Sequence, residues 1–348
     1  MKKSIVLTGG GTAGHIMPHI ALLPELKKNF DQIFYIGTNG MEKEIIKKQN
    51  IPFYEITATK FVRKISPKTF LIPFKLLKSI YQAKKILKKL NPCIVFSKGG
   101  YVSVPVAIAA KKLKIPVVTH ESDLSLGLAN KIIAHYANVV CTTFEKTVNQ
   151  NKKCVFTGSP IRKEIFEGNK QNIINQFDYD KSKPTILFMG GSLGAKALND
   201  IVEKEILKLT DKFNILHLTG KDYKKIKAKN YYNLPFCNNI QDLFDLCDVC
   251  VCRSGANTIM ELLAIQKPMI LVPLPKGNSR GDQVENAKEF EDKNLARVLP
   301  QDKLNYTNLL YEIQKTLENK QKYIQNMQKL NIKNANKKII EILIKNCK

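Results

Sequence analysis

Short runs that are apolar at nearly every residue recur along the whole chain, each followed by a stretch of helical periodicity. In the first half they cover residues 4–8, 33–37, 52–56, 93–97, 116–120, 139–142 and 155–158. In the second half they cover 185–189, 214–219, 249–252, 269–273 and 296–299. Val-, Ile- and Phe-rich runs without polar alternation are strands buried on both faces, which a parallel sheet flanked by helices provides. Two such series predict an α/β protein with two Rossmann-like, doubly wound parallel-sheet domains. A chain of 348 residues has room for two cores. The polar stretch 158–183 is the expected join, giving domains 1–160 and 161–332. Beyond Gln301 the pattern is helical to the end.

Composition excludes several classes. With 44% hydrophobic and 25% charged residues the chain is an ordinary globular one. No run of about 18 apolar residues occurs, so no membrane-spanning helix is expected. The apolar start breaks at Gly9-Gly10-Gly11, too early for a signal peptide, and a cytoplasmic protein is expected. Eight cysteines are scattered. Cys247-x-x-Cys250-x-Cys252 lacks the second ligand pair of a structural zinc site, so it reads as a buried strand and no metal is expected.

The formal net charge is +26, but only five of the 56 basic residues are arginine. Nucleic-acid recognition leans on the arginine fork, so a nucleic-acid-binding module is a disfavoured alternative. Distribution says more than the total. Between Ile56 and His120 there is no acidic residue, while Lys60, Arg63, Lys64, Lys68, Lys75, Lys78, Lys84 and Lys85 fall there. Such a region suits an anionic surface or substrate. Within it, residues 75–90 read as an amphipathic helix with its core stripe at Leu76, Ile80, Ala83, Leu87 and Leu90. The preceding loop mixes Phe61, Phe70, Leu71, Ile72 and Phe74 with cations. It reads either as a dock for an anionic leaflet or as a buried loop edged by solvated lysines.

Glycine loops sit where open α/β sheets bind ligands, directly after strands. Gly9-Gly10-Gly11-Thr12-Ala13-Gly14-His15 satisfies the Gly-x-Gly-x-x-Gly fingerprint. A nicotinamide enzyme also needs an acid at the end of the second strand, and Tyr35-Ile36-Gly37-Thr38-Asn39 has none, which demotes that oxidoreductase reading. Gly190-Gly191-Ser192-Leu193-Gly194 and Arg253-Ser254-Gly255-Ala256-Asn257-Thr258 occupy matching places in the second half. Their helix N-termini, with hydroxyls at Ser192, Ser254 and Thr258, suit a diphosphate, and Glu261 suits ribose hydroxyls. His15 is the better-placed candidate base. His120-Glu121-Ser122-Asp123 reads either as a proton-handling pair or as carboxylates capping the next helix.

These motifs, together with Ser97-Lys-Gly-Gly-Tyr101, Leu128-Ala-Asn130-Lys and Gly158-Ser-Pro-Ile-Arg162, occur in the order of one family. The sequence resembles the MurG family of N-acetylglucosaminyltransferases, which convert lipid I to lipid II in peptidoglycan synthesis. The resemblance implies a glycosyltransferase B fold whose two domains face a cleft. It implies an N-terminal acceptor- and membrane-facing domain, onto which a last helix at about 333–348 packs back, and a C-terminal UDP-GlcNAc domain. It implies an inverting, metal-independent hexosyltransferase without a cofactor. Its acceptor is the MurNAc 4-hydroxyl of undecaprenyl-diphosphate-MurNAc-pentapeptide, reached peripherally on the cytoplasmic side of the inner membrane, beside anionic lipids and other cell-wall synthesis proteins. Another UDP-sugar lipid glycosyltransferase is the nearest alternative.

Position by position, the resemblance gives His15 and Glu121 catalytic roles. Donor contacts fall to Thr12, Ala13, Gly14, Asn130, Arg162, Ser192, Ile240, Ala256, Asn257, Thr258, Ile259, Met260, Glu261 and Gln283. The sequence departs from the family pattern at Ala13, Ser122, Asp123, Leu193 and Asp282, positions that bear on sugar contacts rather than on the reaction class.

Overall fold

A strand apolar on both faces is stable only inside a sheet covered above and below, and the chain builds two such sheets. The computed structural model describes residues 3–58, 72–191, 194–220, 224–277, 280–330 and 335–347. It divides into two units, Met1–Arg162 with Asn334–Lys348, and Lys163–Lys333.

The strands of the first unit are β1 (Ser4–Thr8), β2 (Gln32–Gly37), β3 (Phe53–Glu55), β4 (Ile94–Ser97), β5 (Val117–Glu121), β6 (Val139–Thr142) and β7 (Cys154–Phe156). They pair in parallel in the order β3-β2-β1-β4-β5-β6-β7. In register, Ile5 of β1 lies between Ile33 and Ile94. Its helices are α1 (Met17–Asn29), α2 (Met41–Lys47), α3 (Ile72–Leu90), α4 (Ser103–Lys112) and α5 (Leu128–Tyr136). Strand side chains alternate between faces, and the core divides accordingly. Val6, Val95 and Val117 pack with Ala83, Leu87 and Val106, whereas Ile5, Leu7, Ile94 and Phe96 pack with Leu22 and Leu26.

The second unit holds β8 (Thr185–Met189), β9 (Asn214–Leu218), β10 (Tyr231–Leu234), β11 (Val249–Cys252), β12 (Met269–Leu271) and β13 (Arg297–Val298). These are again parallel, in the order β10-β9-β8-β11-β12-β13. Ahead of them lies α6 (Gln171–Ile174), and between them run α7 (Lys196–Lys204), α8 (Ile206–Lys212), α9 (Ile240–Leu246) and α10 (Ala256–Ala264). Then come α11 (Asp282–Asp292), α12 (Tyr306–Glu318) and α13 (Lys320–Gln328). A final helix, α14 (Ala335–Asn346), belongs to the first unit, where Ile339, Ile340 and Leu343 join Ile5, Leu22 and Leu26 in one cluster.

Two details depart from the sequence reading. The edge strand β10 was not anticipated, because Tyr231 and Asn233 are buried while Tyr232 and Leu234 are half-exposed, a pattern unlike the apolar runs. At the other sheet's edge, β7 leaves Val155 and Phe156 exposed instead of covering them on both faces. The cysteines of β11 are buried, and burial pushes the Cys250 thiol well up. Among the described residues no group of three or more metal-ligating side chains occurs.

Candidate functional site

In each sheet the strand order reverses at its first strand, and in the first unit the loops leaving the carboxyl ends on either side of that point come together. These are the loops after β1 and β4. Gly100 has φ +78°, and a Cβ there would lie 2.6 Å from the Gly10 carbonyl oxygen. Gly11 has φ +85°, and a Cβ there would lie 2.7 Å from the Tyr101 ring. Only glycine lets the two loops close to this distance.

Thr12 is exposed, and Ala13, Gly14 and His15 form a single 3-10 turn ahead of α1. The His15 Nδ1 lies 3.1 Å from the Gly10 carbonyl oxygen and 3.0 Å from Thr12 Oγ1. A carbonyl can only accept, so the hydrogen sits on Nδ1 and Nε2 is the basic nitrogen of the neutral ring. That half-buried imidazole is therefore set up to take a proton at the carboxyl edge of β1.

Glu42 was missed as a member of this loop, because along the chain it looks like an ordinary residue early in α2. Its carboxylate is buried and turns back onto the glycine loop, accepting from Gly11 N at 3.4 Å, Thr38 N at 3.0 Å and Thr38 Oγ1. In a dinucleotide-binding domain an acid near here would meet a ribose. Here it is spent on the chain's own donors.

After β5, the Glu121 carboxylate is engaged by the chain's own donors. Glu121 accepts from Asp123 N at 3.0 Å, from Gly127 N at 2.8 Å and from Asn130 Nδ2 at 3.0 Å. Three N–H donors make its buried carboxylate the fastening between β5 and the start of α5. The Asn130 side chain is similarly spent, its Oδ1 accepting from Thr119 Oγ1 at 2.9 Å. His120 is fully buried and donates from Nε2 to the Gly158 carbonyl at 2.9 Å, while its Nδ1 accepts from Lys98 Nζ at 2.5 Å. Lys98 also donates to Ser122 Oγ at 2.6 Å, and burial pulls its pKa down to about 8. No sequence pattern announced this buried ammonium, because its partners come from a neighbouring strand. Arg162 is half-buried at the end of the first unit's main segment.

In the second unit, Ser192 and Leu193 lie outside the described residues. The loop after β11 leads into α10 with Gly255 as N-cap. Ala256, Ile259 and Met260 turn their side chains into the core, while Asn257, Thr258 and Glu261 are half-buried. What the loop can offer an anion is therefore the backbone N–H groups of the first turn of α10, together with those half-buried polar residues. Ser254 takes a different role from the one read in the sequence. It is fully buried, its hydroxyl donates to the Gln283 carbonyl at 2.8 Å, and Asn286 Nδ2 donates to its own carbonyl at 3.2 Å. Ser254 thus fastens α11 to the loop. The Gln283 side chain accepts from Leu274 N at 3.0 Å through Oε1. Ile240 is the first residue of α9, half-buried. A cavity of about 580 Å³ in this unit is lined by Asp248, Lys267 and Pro268. Those residues precede β11 and β12, so the cavity is at the opposite edge of the sheet from the loops.

Lys60, Phe61, Arg63, Lys64, Lys68, Phe70 and Leu71 of the basic loop lie outside the described residues. Helix α3 adds a feature that its periodicity concealed. Ile80, Ala83 and Leu87 are buried as expected, but Phe74, Leu77 and Tyr81 are 71%, 62% and 70% exposed beside Lys75, Lys78 and Lys85.

Comparison with known proteins decides the family. The model of the glycosyltransferase family 28 N-terminal domain matches residues 5–142, and that of its C-terminal domain matches 185–343. The chain belongs to glycosyltransferase family 28. A Clostridium botulinum (strain Kyoto / Type A2) relative is 46% identical, over 99% of both chains. Its name is UDP-N-acetylglucosamine--N-acetylmuramyl-(pentapeptide) pyrophosphoryl-undecaprenol N-acetylglucosamine transferase. A Clostridium tetani relative of the same name is 44% identical over 99% of this chain and 98% of its own. Among solved structures, the MurG of Acinetobacter baumannii matches with a TM-score of 0.76 and 29% identity over 99% of both chains. The two parallel-sheet units are thus the glycosyltransferase B fold of family 28. The family's C-terminal model runs into α14, a helix that packs in the first unit.

Proposed function

We propose that the chain is an inverting N-acetylglucosaminyltransferase that moves GlcNAc from UDP-GlcNAc to the MurNAc 4-hydroxyl of undecaprenyl-diphosphate-MurNAc-pentapeptide, converting lipid I to lipid II. The observation that carries this reading is end-to-end likeness, 46% identity over 99% of both chains, to a relative that bears this activity in its name.

The donor is an α-linked nucleotide sugar and the product a β-1,4 glycoside, so a single in-line displacement accounts for the inversion. Negative charge then grows on the departing UDP. The N-terminus of α10 meets that charge with backbone N–H groups, and Ser192 and Arg162 keep the donor-contact roles that the resemblance implies. Asn257, Thr258 and Glu261 bracket the nucleotide, Glu261 on the ribose, with Ile240 offering its backbone to uracil. Gln283 is assigned to the sugar side, and Thr12, Ala13 and Gly14 keep the donor-contact roles that the resemblance implies. His15 takes the hydroxyl proton on Nε2. Asn130 and Glu121 serve by fixing the carboxyl edge of β5, since their polar atoms are occupied by the chain itself.

The acceptor's polyprenyl chain lies in a bilayer, so the enzyme docks on it. Phe74, Leu77 and Tyr81 enter the interface while the lysines of α3 meet anionic headgroups of the cytoplasmic leaflet, each contributing about 1 kcal/mol. No helix among the described residues is long and apolar enough to cross a membrane.

Radiolabelled UDP-GlcNAc and a lipid I analogue test the reading, with and without EDTA. Label entering the lipid fraction under both conditions is the expected result. A requirement for a divalent metal contradicts charge neutralisation by helix ends, and label that never reaches the lipid contradicts the assignment.

A further inference from the structure

The sequence reading assigned no covalent link to any cysteine, yet the structure joins Cys93 to Cys347 by a disulfide across a sequence separation of 254 residues, with Cα atoms 5.0 Å apart. Cys93 immediately precedes β4, a central strand of the first sheet, and its backbone N–H donates to the Ser4 carbonyl at 2.9 Å. Cys347 follows the last residue of α14, and its N–H donates to the Ile344 carbonyl at 3.2 Å. Both side chains are half-buried beside the cluster that Ile339, Ile340 and Leu343 of α14 complete.

We propose that Cys93 and Cys347 form a reversible redox clip that locks the carboxyl-terminal helix onto the first unit. The reaction is thiol–disulfide exchange with a low-molecular-weight disulfide. The thiolate of one cysteine attacks a sulfur of that disulfide and expels one small thiol. The second cysteine thiolate then displaces the other. The protein Sγ–Sγ bond forms, the two cysteine thiols each lose a proton, and the two electrons leave on two molecules of small thiol.

Position selects this pair. Cys141, Cys154, Cys247, Cys250 and Cys252 are buried thiols inside the two sheets and their flanks, and Cys237 is half-buried; burial raises the pKa of Cys141 to about 12 and of Cys247 to about 11, and lifts those of Cys154, Cys237 and Cys250. The nucleophile is the thiolate, so burial disfavours reaction at those sites, whereas Cys93 and Cys347 are half-buried and already face each other beside β4 and α14. The clip lies at the amino edge of the sheet and His15 at the carboxyl edge, so its state acts on the helix that closes the core and not on the reacting groups.

The full-length protein is equilibrated with glutathione disulfide, denatured, alkylated with iodoacetamide and mapped by peptide mass. Recovery of Cys93 and Cys347 in one linked peptide is the expected result, with both alkylated only after dithiothreitol. Closing so long a loop restrains the unfolded chain, so reduction should lower Tm by roughly 5 °C or more. Cys347→Ser, a change at the penultimate residue, should show the reduced protein's Tm, no response to dithiothreitol and unchanged transfer activity. Alkylation of both cysteines in the oxidised protein overturns the proposal. So does one Tm for oxidised and reduced wild type, or a dithiothreitol response that survives in Cys347→Ser.

Discussion

For His15, the proposed base, the hydrogen bond to Gly10 selects the tautomer. The Gly10 carbonyl holds the hydrogen on Nδ1, so the nitrogen that can accept a proton is Nε2. Under the proposed mechanism, replacing His15 with alanine removes the base and changes no residue of the second unit. His15→Ala should lower kcat by about 10²- to 10⁴-fold while the Kd for UDP-GlcNAc stays at the wild-type value. Steady-state kinetics beside a donor titration reads this, and equal losses in both would make His15 a positioning residue. Glu121 makes the complementary case. In Glu121→Gln one acceptor oxygen becomes an NH₂ facing N–H donors, which should destabilise the first unit by about 1–3 kcal/mol in a denaturant titration. A variant as stable as wild type would show that the carboxylate is not a fastening. At this scale the sequence shows which residue types gather after strands. It does not show which are already satisfied: Ser254, Asn130 and Glu121 all carry suitable groups, and only tertiary partners reveal that those groups are spent.

Elements were more legible than side chains. A strand buried on both faces writes itself as an unbroken apolar run, so the central strands of both sheets could be read directly. One edge strand escapes that rule: Tyr231-Tyr232-Asn233-Leu234 was overlooked because Tyr232 and Leu234 are half-exposed. Helix α3 shows the converse. Spacing of three and four correctly picked out Ile80, Ala83 and Leu87, but a one-stripe reading assigned the rest of the surface to lysine. The structure places a second apolar stripe, Phe74, Leu77 and Tyr81, among those lysines. Changing all three to serine touches no buried residue and should leave the Tm unchanged while strongly reducing co-sedimentation with anionic vesicles. The residual, charge-driven binding should disappear on raising salt. Undiminished vesicle binding would remove α3 from the membrane-docking account.

For the whole molecule, buried histidines set the response to acid. Burial holds His19 down to about 3 and His217 to about 4, and burial together with the neighbouring Lys98 keeps His120 well below 6.5. Between those values and the ordinary 6.5 the unfolded chain binds more protons than the folded one, so stability rises with pH in that window. Their contribution is therefore complete above about 6.5 and lost as pH falls below it, each group adding a slope of about 1.4 kcal/mol per pH unit. Urea midpoints at pH 7 and pH 5 check this. The lower midpoint should be at pH 5, and an equal or higher one contradicts it. The two-sheet architecture could be read because β/α alternation repeats over the chain's full length, whereas the return of α14 to the first unit rests on contacts that no local pattern encodes. The most direct test of the whole account is an NMR determination of the linkage in the lipid product purified from UDP-GlcNAc and a lipid I analogue. GlcNAc joined β to the MurNAc 4-hydroxyl is the predicted result, and an α linkage, or a sugar on any other hydroxyl, would contradict a single displacement assisted by His15.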